Sequence, residues 1–239
     1  ALTAGCSNAF IKSGYSFFNM SCICFSNNLF IVFTFSHYTK QKGLCKYLIY
    51  VILKLVMKMK RCAWAYSDEL REYHDHVWGK PQHDEIMLFK MLVLEGLQAG
   101  LSWEIILKKE KAYEDALNHF DYVKIAQYQE DKYNELMETP LLIKNKLKMR
   151  AIISNAQAFL KVQEEFGCFD EYIWSYVGHK QIVHDYNNTQ DVPAFDELSI
   201  EISKDLKKRG FKFVGPTIIY SYLQAIGIYN DHELLCDFR

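Results

Sequence analysis

Residues 92–103 read LVLEGLQAGLSW and place a single carboxylate, Glu95, inside an apolar run. The preceding residues are apolar around most of a helical circumference, which is typical of a helix at the centre of a bundle. A buried carboxylate costs several kcal/mol when nothing pairs with it. Either the fold supplies a partner for Glu95 or a ligand does, and the other residues bear on this choice.

Charge is unevenly distributed along the 239 residues. The first 58 contain six lysines and no acidic residue, so the remainder carries 22 basic and 29 acidic residues, a net charge of −7. Half of the sequence is apolar and 15% is aromatic, which is enough for a sizeable globular core. Because the remainder is acidic, any nucleic-acid binding must depend on local basic patches and not on overall charge.

The segment 1–58 differs from the rest of the chain. It begins without methionine, contains no Asp, Glu, Arg, Pro or Trp, and has no persistent helical or alternating period. We interpret it as a non-functional or disordered extension, with Met57 and Met59 as possible starts of a domain at 59–239. Membrane association is the alternative, although polar residues interrupt the apolar run 17–35 and the run 47–57 is too short to span a bilayer.

From Met59 onward, the sequence predicts helices separated by polar connections. Thr139-Pro140 ends one helix, Gly210 ends another, and Pro216 begins the last. No strand pattern or fixed repeat is present, so we predict an all-α fold. The predicted helices are 68–73, 84–96, 103–120, 123–127, 130–138, one that contains 152–160, 200–208 and 217–226, with a long polar connection at 177–195.

Three cysteines lie beyond residue 58, and two of them are close to histidines that could share a metal ion. His232 and Cys236 are four residues apart, which places them on the same face of a helix. With Cys62 and His74 they would form the Cys2His2 tetrahedron that suits zinc. The alternative is two small buried thiols with surface histidines, because Cys62 and His74 are too far apart for a compact zinc finger. The competing ligand candidates are His76 and His83.

Three of the four tryptophans, Trp64, Trp78 and Trp103, are concentrated around the Glu95 stretch. Together with Tyr73 they could hold a flat, electron-poor or cationic ring between aromatic faces beside the carboxylate. The alternative is that these large side chains simply form part of the hydrophobic core.

A basic segment with the sequence LIKNKLK, residues 142–148, lies between two predicted helices. Backbone amides at a helix start, together with lysines, can hold a DNA phosphate without reading the base sequence. The run 207–212 is a second candidate, although charged runs are usually solvated surfaces. The candidate phosphate contacts of the first segment are Lys144, Asn145, Lys146 and Lys148.

Several ordered motifs resemble the bacterial DNA-3-methyladenine glycosylase I family, a branch of the helix-hairpin-helix glycosylases. They are MKRCAW from Met59, YHDHVWG from Tyr73, LEGLQAGLSW from Leu94, KKRGFKFVGPTIIYS from Lys207 and NDH from Asn230. The resemblance covers residues 59–236 and leaves the first 58 outside it. It implies a helix-hairpin-helix fold of two helical lobes, in which a structural zinc ion ties the two ends of the domain together.

The resemblance also implies an activity, the hydrolysis of the N-glycosidic bond of 3-methyladenine in double-stranded alkylated DNA. The base would be flipped out of the duplex and recognised by Glu95, and water would be the nucleophile in a monofunctional reaction. We expect a cytoplasmic monomer without disulfides, membrane contact or an obligate protein partner. The implied zinc ligands are Cys62, His74, His232 and Cys236, and the implied base pocket is Glu95 with Trp64, Tyr73, Trp78 and Trp103.

Leu101 is our candidate for the side chain that fills the gap left by the flipped base. The chain departs from the family pattern twice: residues 70–72 are Leu-Arg-Glu where many members have a second tyrosine, and Leu147 stands where a glycine is often found. Two other functions stay open, a catalytically silent DNA-binding module and a zinc-stapled protein that binds a small planar ligand. Glu95 and the clustered aromatics argue against the first, and the lysines of 142–148 argue against the second.

Overall fold

The structure, a computed structural model, describes residues 59–239 and the backbone of four short strands within the first 58 residues. The chain divides into two compact units, Ala1–Lys58 and Met59–Arg239. Strand β1 pairs antiparallel with β2, and β3 pairs antiparallel with β4. The strands are β1 (Lys12–Ser13), β2 (Ser16–Phe17), β3 (Asn19–Phe25) and β4 (Asn28–Thr34).

The sequence of residues 1–58 shows no persistent alternating period, so these strands were not predicted. Strand β4 is rich in Ile, Val and Phe, which favour strands, and the polar residues Ser26 and Asn27 separate it from β3 in sequence. Within the described residues, no helix combines the length and the hydropathy that crossing a bilayer requires. The apolar run 47–57 lies outside the described residues, and the absence of function in 1–58 stays a prediction.

The unit Met59–Arg239 is built mainly from helices, which confirms the helical class predicted for it. Two 3-10 turns, Asn118–Phe120 and Thr189–Asp191, lie between helices, and β5 (Ile182–Val183) pairs in parallel with β6 (Tyr229–Asn230). The helices of residues 59–239 are α1 (Asp68–His76), α2 (Glu85–Gln98), α3 (Trp103–Ala116), α4 (Tyr122–Ile125), α5 (Glu130–Glu138), α6 (Lys146–Phe166), α7 (Phe169–Ser175), α8 (Glu197–Lys208) and α9 (Pro216–Ala225).

Capping side chains explain why several helices begin where the sequence predicts. At the starts of α1, α2 and α3, and also of α6, whose start the sequence did not predict, a side-chain oxygen accepts a hydrogen bond from a backbone amide of the first turn. Pro216 begins α9, where its missing N–H is not needed. Helix α7 was not predicted, because seven residues are too few to show a helical period. The four capping residues are Ser67, Asp84, Ser102 and Asn145.

Helix α2 lies at the centre of this unit. It packs against α3, α6, α7 and α9. From Leu88 to Leu97 every residue except Lys90 is buried, in agreement with the predicted all-round apolar character. A fully buried Leu, Phe or Met stabilises the fold by about 1.5–3 kcal/mol, so this packing strongly fixes the helix. It thereby fixes Glu95, the one acidic side chain in the buried part of α2.

Candidate active site and metal centre

A cavity of about 290 Å³ lies beside the C-terminal half of α2. Its walls contain all four predicted aromatic side chains and the predicted carboxylate, so the fold brings the five together. They come from the segment before α1, from α1 and its end, from α2, and from the start of α3. The lining residues are Trp64, Tyr73, Trp78, Glu95, Gln98, Trp103, Thr189, Val192, Ser221, Gln224 and Asp231.

The carboxyl group of Glu95 is buried beside this cavity without the partner that its burial demands. Glu95 is 3% exposed, and its Oε2 has no hydrogen-bond partner. Burial raises the pKa of Glu95 to about 8, so the carboxyl group is mostly protonated at neutral pH. Within residues 59–239, the Nε1 of Trp103 is the other buried side-chain nitrogen or oxygen that lacks a hydrogen bond. Because native folds leave few such groups unsatisfied, a bound ligand is the partner that this pair indicates.

The aromatic rings around the cavity contact one another at steep angles. The ring centroids of Trp64 and Trp78 are 4.9 Å apart, and those of Tyr73 and Trp103 are 5.1 Å apart. The ring centroids of Trp64 and Tyr73 are 6.3 Å apart, so the two pairs are neighbours. Such edge contacts favour fixed ring orientations. Tyr73 and Trp78 are also part of the hydrophobic core, so the core and pocket interpretations both hold for them.

Polar residues that the sequence did not single out complete the lining. Asp231 accepts hydrogen bonds from the Tyr220 hydroxyl at 2.8 Å and from Gln224 Nε2 at 2.7 Å. Its other oxygen lies 2.7 Å from His184 Nδ1. These contacts hold Asp231 and Gln224 in fixed orientations. The only signal in the sequence was the position of Asp231 directly before the predicted ligand His232.

The four predicted metal ligands form one buried cluster. One ligand atom from each lies within 4.8 Å of all the others. Cys236 Sγ is 3.3 Å from His232 Nδ1 and 3.4 Å from His74 Nε2, and Cys62 Sγ is 3.6 Å from His232 Nδ1. Bonds of about 2.0–2.3 Å to a tetrahedral zinc would place ligand atoms roughly 3.3–3.8 Å apart, so these contacts fit a metal site.

The competing ligand candidates are not part of the cluster. His76 Nε2 lies on the surface, 3.7 Å from Glu72. His83 Nδ1 pairs with Asp170 at 2.9 Å. Both histidines are therefore surface residues, and within residues 59–239 the histidines that offer buried nitrogens to the two thiols are His74 and His232.

Neighbouring groups orient both histidines of the cluster. His74 Nδ1 is 2.8 Å from Asp75 Oδ1, and His232 Nε2 is 3.2 Å from the Trp78 carbonyl oxygen, which leaves the opposite ring nitrogens facing the thiols. Burial lowers the pKa of His232 to about 4, so its ring is neutral and able to bind a metal. Gly79, with φ of +71°, lets the chain pass close by, since a Cβ there would lie 3.1 Å from the His232 ring.

Leu101 and two of the predicted lysines lie on the protein surface. Leu101 is 36% exposed and follows Gly100, whose φ of +78° suits a residue without a side chain. Lys144 and Lys146 are exposed, and the Lys144 ammonium group donates to the carbonyl oxygen of Thr139. These side chains are accessible to a large ligand.

Asn145 and Lys148 have structural contacts that the sequence did not predict. Asn145 Oδ1 caps α6 by accepting from the amides of Leu147 and Lys148 at 3.0 and 3.1 Å. Lys148 is buried, and its Nζ donates to the carbonyl oxygens of Leu97 at 2.8 Å and Ala99 at 2.5 Å. This corrects the prediction that Lys148 contacts a phosphate, because its ammonium group points to the carbonyls at the end of α2.

The second basic run, 207–212, is partly occupied by internal ion pairs. Arg209 pairs with Glu165 at 2.7 Å and with Asp205 at 2.6 Å. Its guanidinium carbon also lies 4.9 Å from the centre of the Phe166 ring. Arg209 therefore ties α8 to the end of α6 and is a poor candidate for a phosphate contact.

The two departures from the family pattern have separate structural consequences. None of residues 70–72, where many members have a second tyrosine, is among the residues that line the cavity, and Leu70 is buried. Leu147 is 72% exposed in the first turn of α6. The cavity wall is thus formed without a second tyrosine, and the exposed leucine changes the surface of the basic segment.

The unit is helical, its two ends meet in a buried Cys2His2 cluster, and its aromatic cavity with an unpaired carboxyl group can accommodate a flat ring with polar edges. The sequence profile of the family described as methyladenine glycosylase matches residues 64–239. The chain belongs to the methyladenine glycosylase family.

The alignments of this chain with known relatives and solved structures cover nearly the whole length of each relative. The chain is 43% identical over 179 residues to DNA-3-methyladenine glycosylase 1 of Escherichia coli, covering 74% of this chain and 96% of that protein. It is 42% identical over 173 residues to DNA-3-methyladenine glycosylase of Haemophilus influenzae, covering 72% and 94%. A crystal structure of a variant of 3-methyladenine DNA glycosylase I in complex with 3-methyladenine superposes with a TM-score of 0.73 at 40% identity, covering 75% and 97%. The enzyme from Staphylococcus aureus gives a TM-score of 0.73 at 40% identity, covering 75% and 96%.

Replacing Glu95 with Gln is expected to stabilise the protein in a pH-dependent way. The pKa of Glu95 is about 8 in the folded chain, whereas an unfolded Glu has a pKa of about 4.3. Its contribution to the free energy of unfolding therefore falls as pH rises between these values. Glu95→Gln removes this titration, so its gain over the wild type should be small near pH 4.5 and roughly 3–5 kcal/mol near pH 8.5.

Urea unfolding over this pH range measures the effect. Glu135→Gln, which changes an exposed carboxylate on α5, is the control and should show no comparable gain. Parallel stability curves for the wild type and Glu95→Gln would contradict a raised pKa at Glu95.

Proposed function

We propose that the chain is a DNA-3-methyladenine glycosylase, which hydrolyses the N-glycosidic bond of 3-methyladenine in alkylated DNA and leaves an abasic site. The observation that carries this proposal is the unpaired Glu95 carboxyl group within a cavity of aromatic rings. The family to which the chain belongs and two relatives named for this activity support it. A related solved structure holds 3-methyladenine itself.

The cavity suits a flat base that has left the duplex. An enzyme reaches a glycosidic bond only after the nucleotide is flipped out, and an alkylated base stacks less securely, which lowers the cost of flipping. The tryptophan and tyrosine rings of the cavity offer apolar faces and edges to such a base. Methylation places positive charge on the adenine, and aromatic faces attract cations.

Glu95 gives the cavity a preference for a charged adenine. Burial keeps the carboxyl group of the free protein mostly protonated, since its pKa is about 8. A cationic base within a few ångströms favours the ionised form. The carboxylate can then accept a hydrogen bond from the exocyclic amine of adenine. A neutral base provides no such compensation for the buried charge.

The hydrolysis itself requires no strong general acid. The base leaves C1′ with the bonding electron pair, which neutralises its positive charge, while water adds to C1′ and releases a proton to solvent. Glu95 assists by holding the departing base in the orientation for cleavage and by complementing the charge of the bound lesion.

The connection between α5 and α6, residues 139–145, is the proposed hairpin of a helix-hairpin-helix DNA contact. Lys144 in this connection and Lys146 at the start of α6 are exposed and are proposed to contact phosphates of double-stranded DNA. Lys148 acts indirectly, since its buried ammonium group holds α6 against the end of α2. Leu101 follows that end of α2 and is the proposed wedge in the gap left by the flipped base.

The buried cluster is proposed to hold a structural zinc ion. Two thiols and two imidazoles are a ligand set that zinc prefers, and their spacing fits a tetrahedron. When bound, zinc would cross-link the first and last segments of the unit Met59–Arg239 and add its binding free energy to the stability of the fold. The ligand residues are Cys62, His74, His232 and Cys236.

The activity is tested with the full-length chain and methylated double-stranded DNA, with released bases measured by chromatography. We expect release of 3-methyladenine by the wild type and a loss of about 100-fold in Glu95→Gln, because the residue that recognises the base is removed. Glu135→Gln should retain the wild-type rate. DNA binding without base release would indicate a silent module, and binding of free 3-methyladenine without DNA binding would indicate a receptor for a planar ligand.

The DNA contacts are tested with three variants. Leu101→Ala should lower base release by about tenfold while leaving the affinity for free 3-methyladenine unchanged, because only flipping is affected. Lys146→Met should weaken DNA binding, reduce its salt dependence and leave stability unchanged. Its matched partner Lys148→Met should lower the free energy of unfolding by about 2–4 kcal/mol, because a buried and a half-buried carbonyl oxygen lose a charged donor.

Fluorescence anisotropy at several salt concentrations and urea unfolding separate these effects. Base release by Leu101→Ala at the wild-type rate would contradict the assignment of Leu101 as the wedge. Unchanged stability in Lys148→Met would contradict the buried position of its ammonium group.

The metal site is tested by elemental analysis of the purified chain. We expect about one zinc ion per chain in the wild type and a clear loss in Cys236→Ser, because zinc favours four ligands in structural sites. Cys168→Ser, which changes a thiol outside the cluster, is the matched control and should keep its zinc. Unchanged zinc content in Cys236→Ser would remove the assignment.

A further inference from the structure

The cavity and the metal cluster share a layer of contacting rings. The ring centroid of His232 lies 4.7 Å from that of Trp78, and the centroid of His74 lies 5.2 Å from that of Trp64. The Trp78 backbone is also tied to the cluster, since its carbonyl oxygen lies 3.2 Å from His232 Nε2. Both indoles line the cavity. Each of these tryptophans therefore contacts a predicted metal ligand and bounds the cavity.

Three of the four cluster residues lie within two positions of a residue that lines the cavity. Residues that follow one another in a helix point about 100° apart, so α1 can present Tyr73 to the cavity and His74 to the cluster. Of the four cluster residues, only Cys236 has no cavity residue within two positions. The neighbouring pairs are Tyr73 with His74, Asp231 with His232, and Cys62 with Trp64 two residues later.

We propose that the cluster residues are positioning residues of the base pocket: metal binding fixes the imidazole rings, and these rings hold Trp64 and Trp78 in the orientation that the base requires. Metal and base then raise each other's affinity. This inference deepens the proposed glycosylase function and rests on it, because the ligand of the cavity is taken to be 3-methyladenine. Linkage requires that each ligand raise the affinity of the other by the same factor.

The contacts within the cluster explain why a metal ion matters for ring order. The sulfur–nitrogen distances are 3.3–3.6 Å, and a thiol is only a weak hydrogen-bond donor. Asp75 and the Trp78 carbonyl oxygen hold the outer nitrogens of the His74 and His232 rings, whereas the sulfur contacts hold the inner nitrogens less firmly than coordinate bonds to one ion would. Rotation of either ring would remove support from a tryptophan of the cavity wall. A metal-free pocket must then order its walls when the base binds, which lowers affinity.

The test compares the affinity of the full-length chain for free 3-methyladenine with and without zinc, by isothermal titration calorimetry. Circular dichroism verifies that both forms have the same helical content. We expect the zinc-loaded chain to bind about tenfold tighter or better, and saturating 3-methyladenine to raise the zinc affinity by the same factor. A chromophoric chelator measures the zinc affinity by competition.

The outcomes separate this inference from the proposed function. Equal base affinities in the two folded forms would overturn the linkage and leave the glycosylase function intact. Absence of 3-methyladenine binding by the zinc-loaded chain would contradict the glycosylase function and the linkage together. If the metal has a purely structural role, its removal lowers the free energy of unfolding and leaves the base affinity of the folded chain unchanged.

Cys236→Ser keeps the inference testable even where the chelated wild type loses its helices. It weakens the cluster without changing a residue of the cavity or its sequence neighbours. Once depleted of zinc and verified as folded, it should bind 3-methyladenine about tenfold more weakly than Cys168→Ser, which keeps the intact cluster. Tryptophan emission should change when zinc is added to depleted Cys168→Ser and not with Cys236→Ser. The same base affinity in both variants would overturn the inference.

Discussion

The central constraint on this structure is a carboxyl group that is held in an apolar environment. Helix α2 is buried on nearly all sides, and Glu95 has no hydrogen-bond partner at Oε2. Burial raises its pKa to about 8, a shift that corresponds to roughly 5 kcal/mol against ionisation. The apolar packing of α2 must outweigh this cost. Helix α2 therefore provides both the packing at the centre of the unit and the carboxyl group that lines the cavity.

The position of Glu95 is supported at both ends of the cavity wall. At the end of α2, the buried ammonium group of Lys148 binds the carbonyl oxygens of Leu97 and Ala99, which would otherwise lack partners within the helix. Burial lowers the pKa of Lys148, yet the two carbonyl oxygens give its ammonium group the hydrogen-bond acceptors that it needs. On the other side, the ring series from Trp103 through Tyr73 and Trp64 continues into the Cys2His2 cluster.

Sequence patterns predicted the helical class, the bounds of α5 and the start of α3, because periodicity and caps are local properties. Spacing paired His232 with Cys236 and offered Cys62 and His74 as two further ligands, and the family resemblance favoured this set over His76 and His83. Charge pattern misplaced Lys148, because an ammonium group on a helix faces water or the interior according to carbonyls that lie about fifty residues earlier in the chain. Asp231 and Gln224 were missed as cavity residues for the same reason, since their role depends on packing between distant segments.

In the proposed glycosylase, selection of a charged lesion would follow from the protonation state of Glu95. A protonated carboxyl group can donate to a carbonyl oxygen or accept from an amine, so hydrogen bonding alone would separate neutral purines poorly. A cationic base changes this balance because it favours the carboxylate, whose charge-assisted hydrogen bonds are roughly twice as strong as neutral ones. A normal base lacks that gain and must also leave an undisturbed stack. Because the two effects act on the same step, charge and weak stacking can select the lesion without a dedicated pocket for the methyl group.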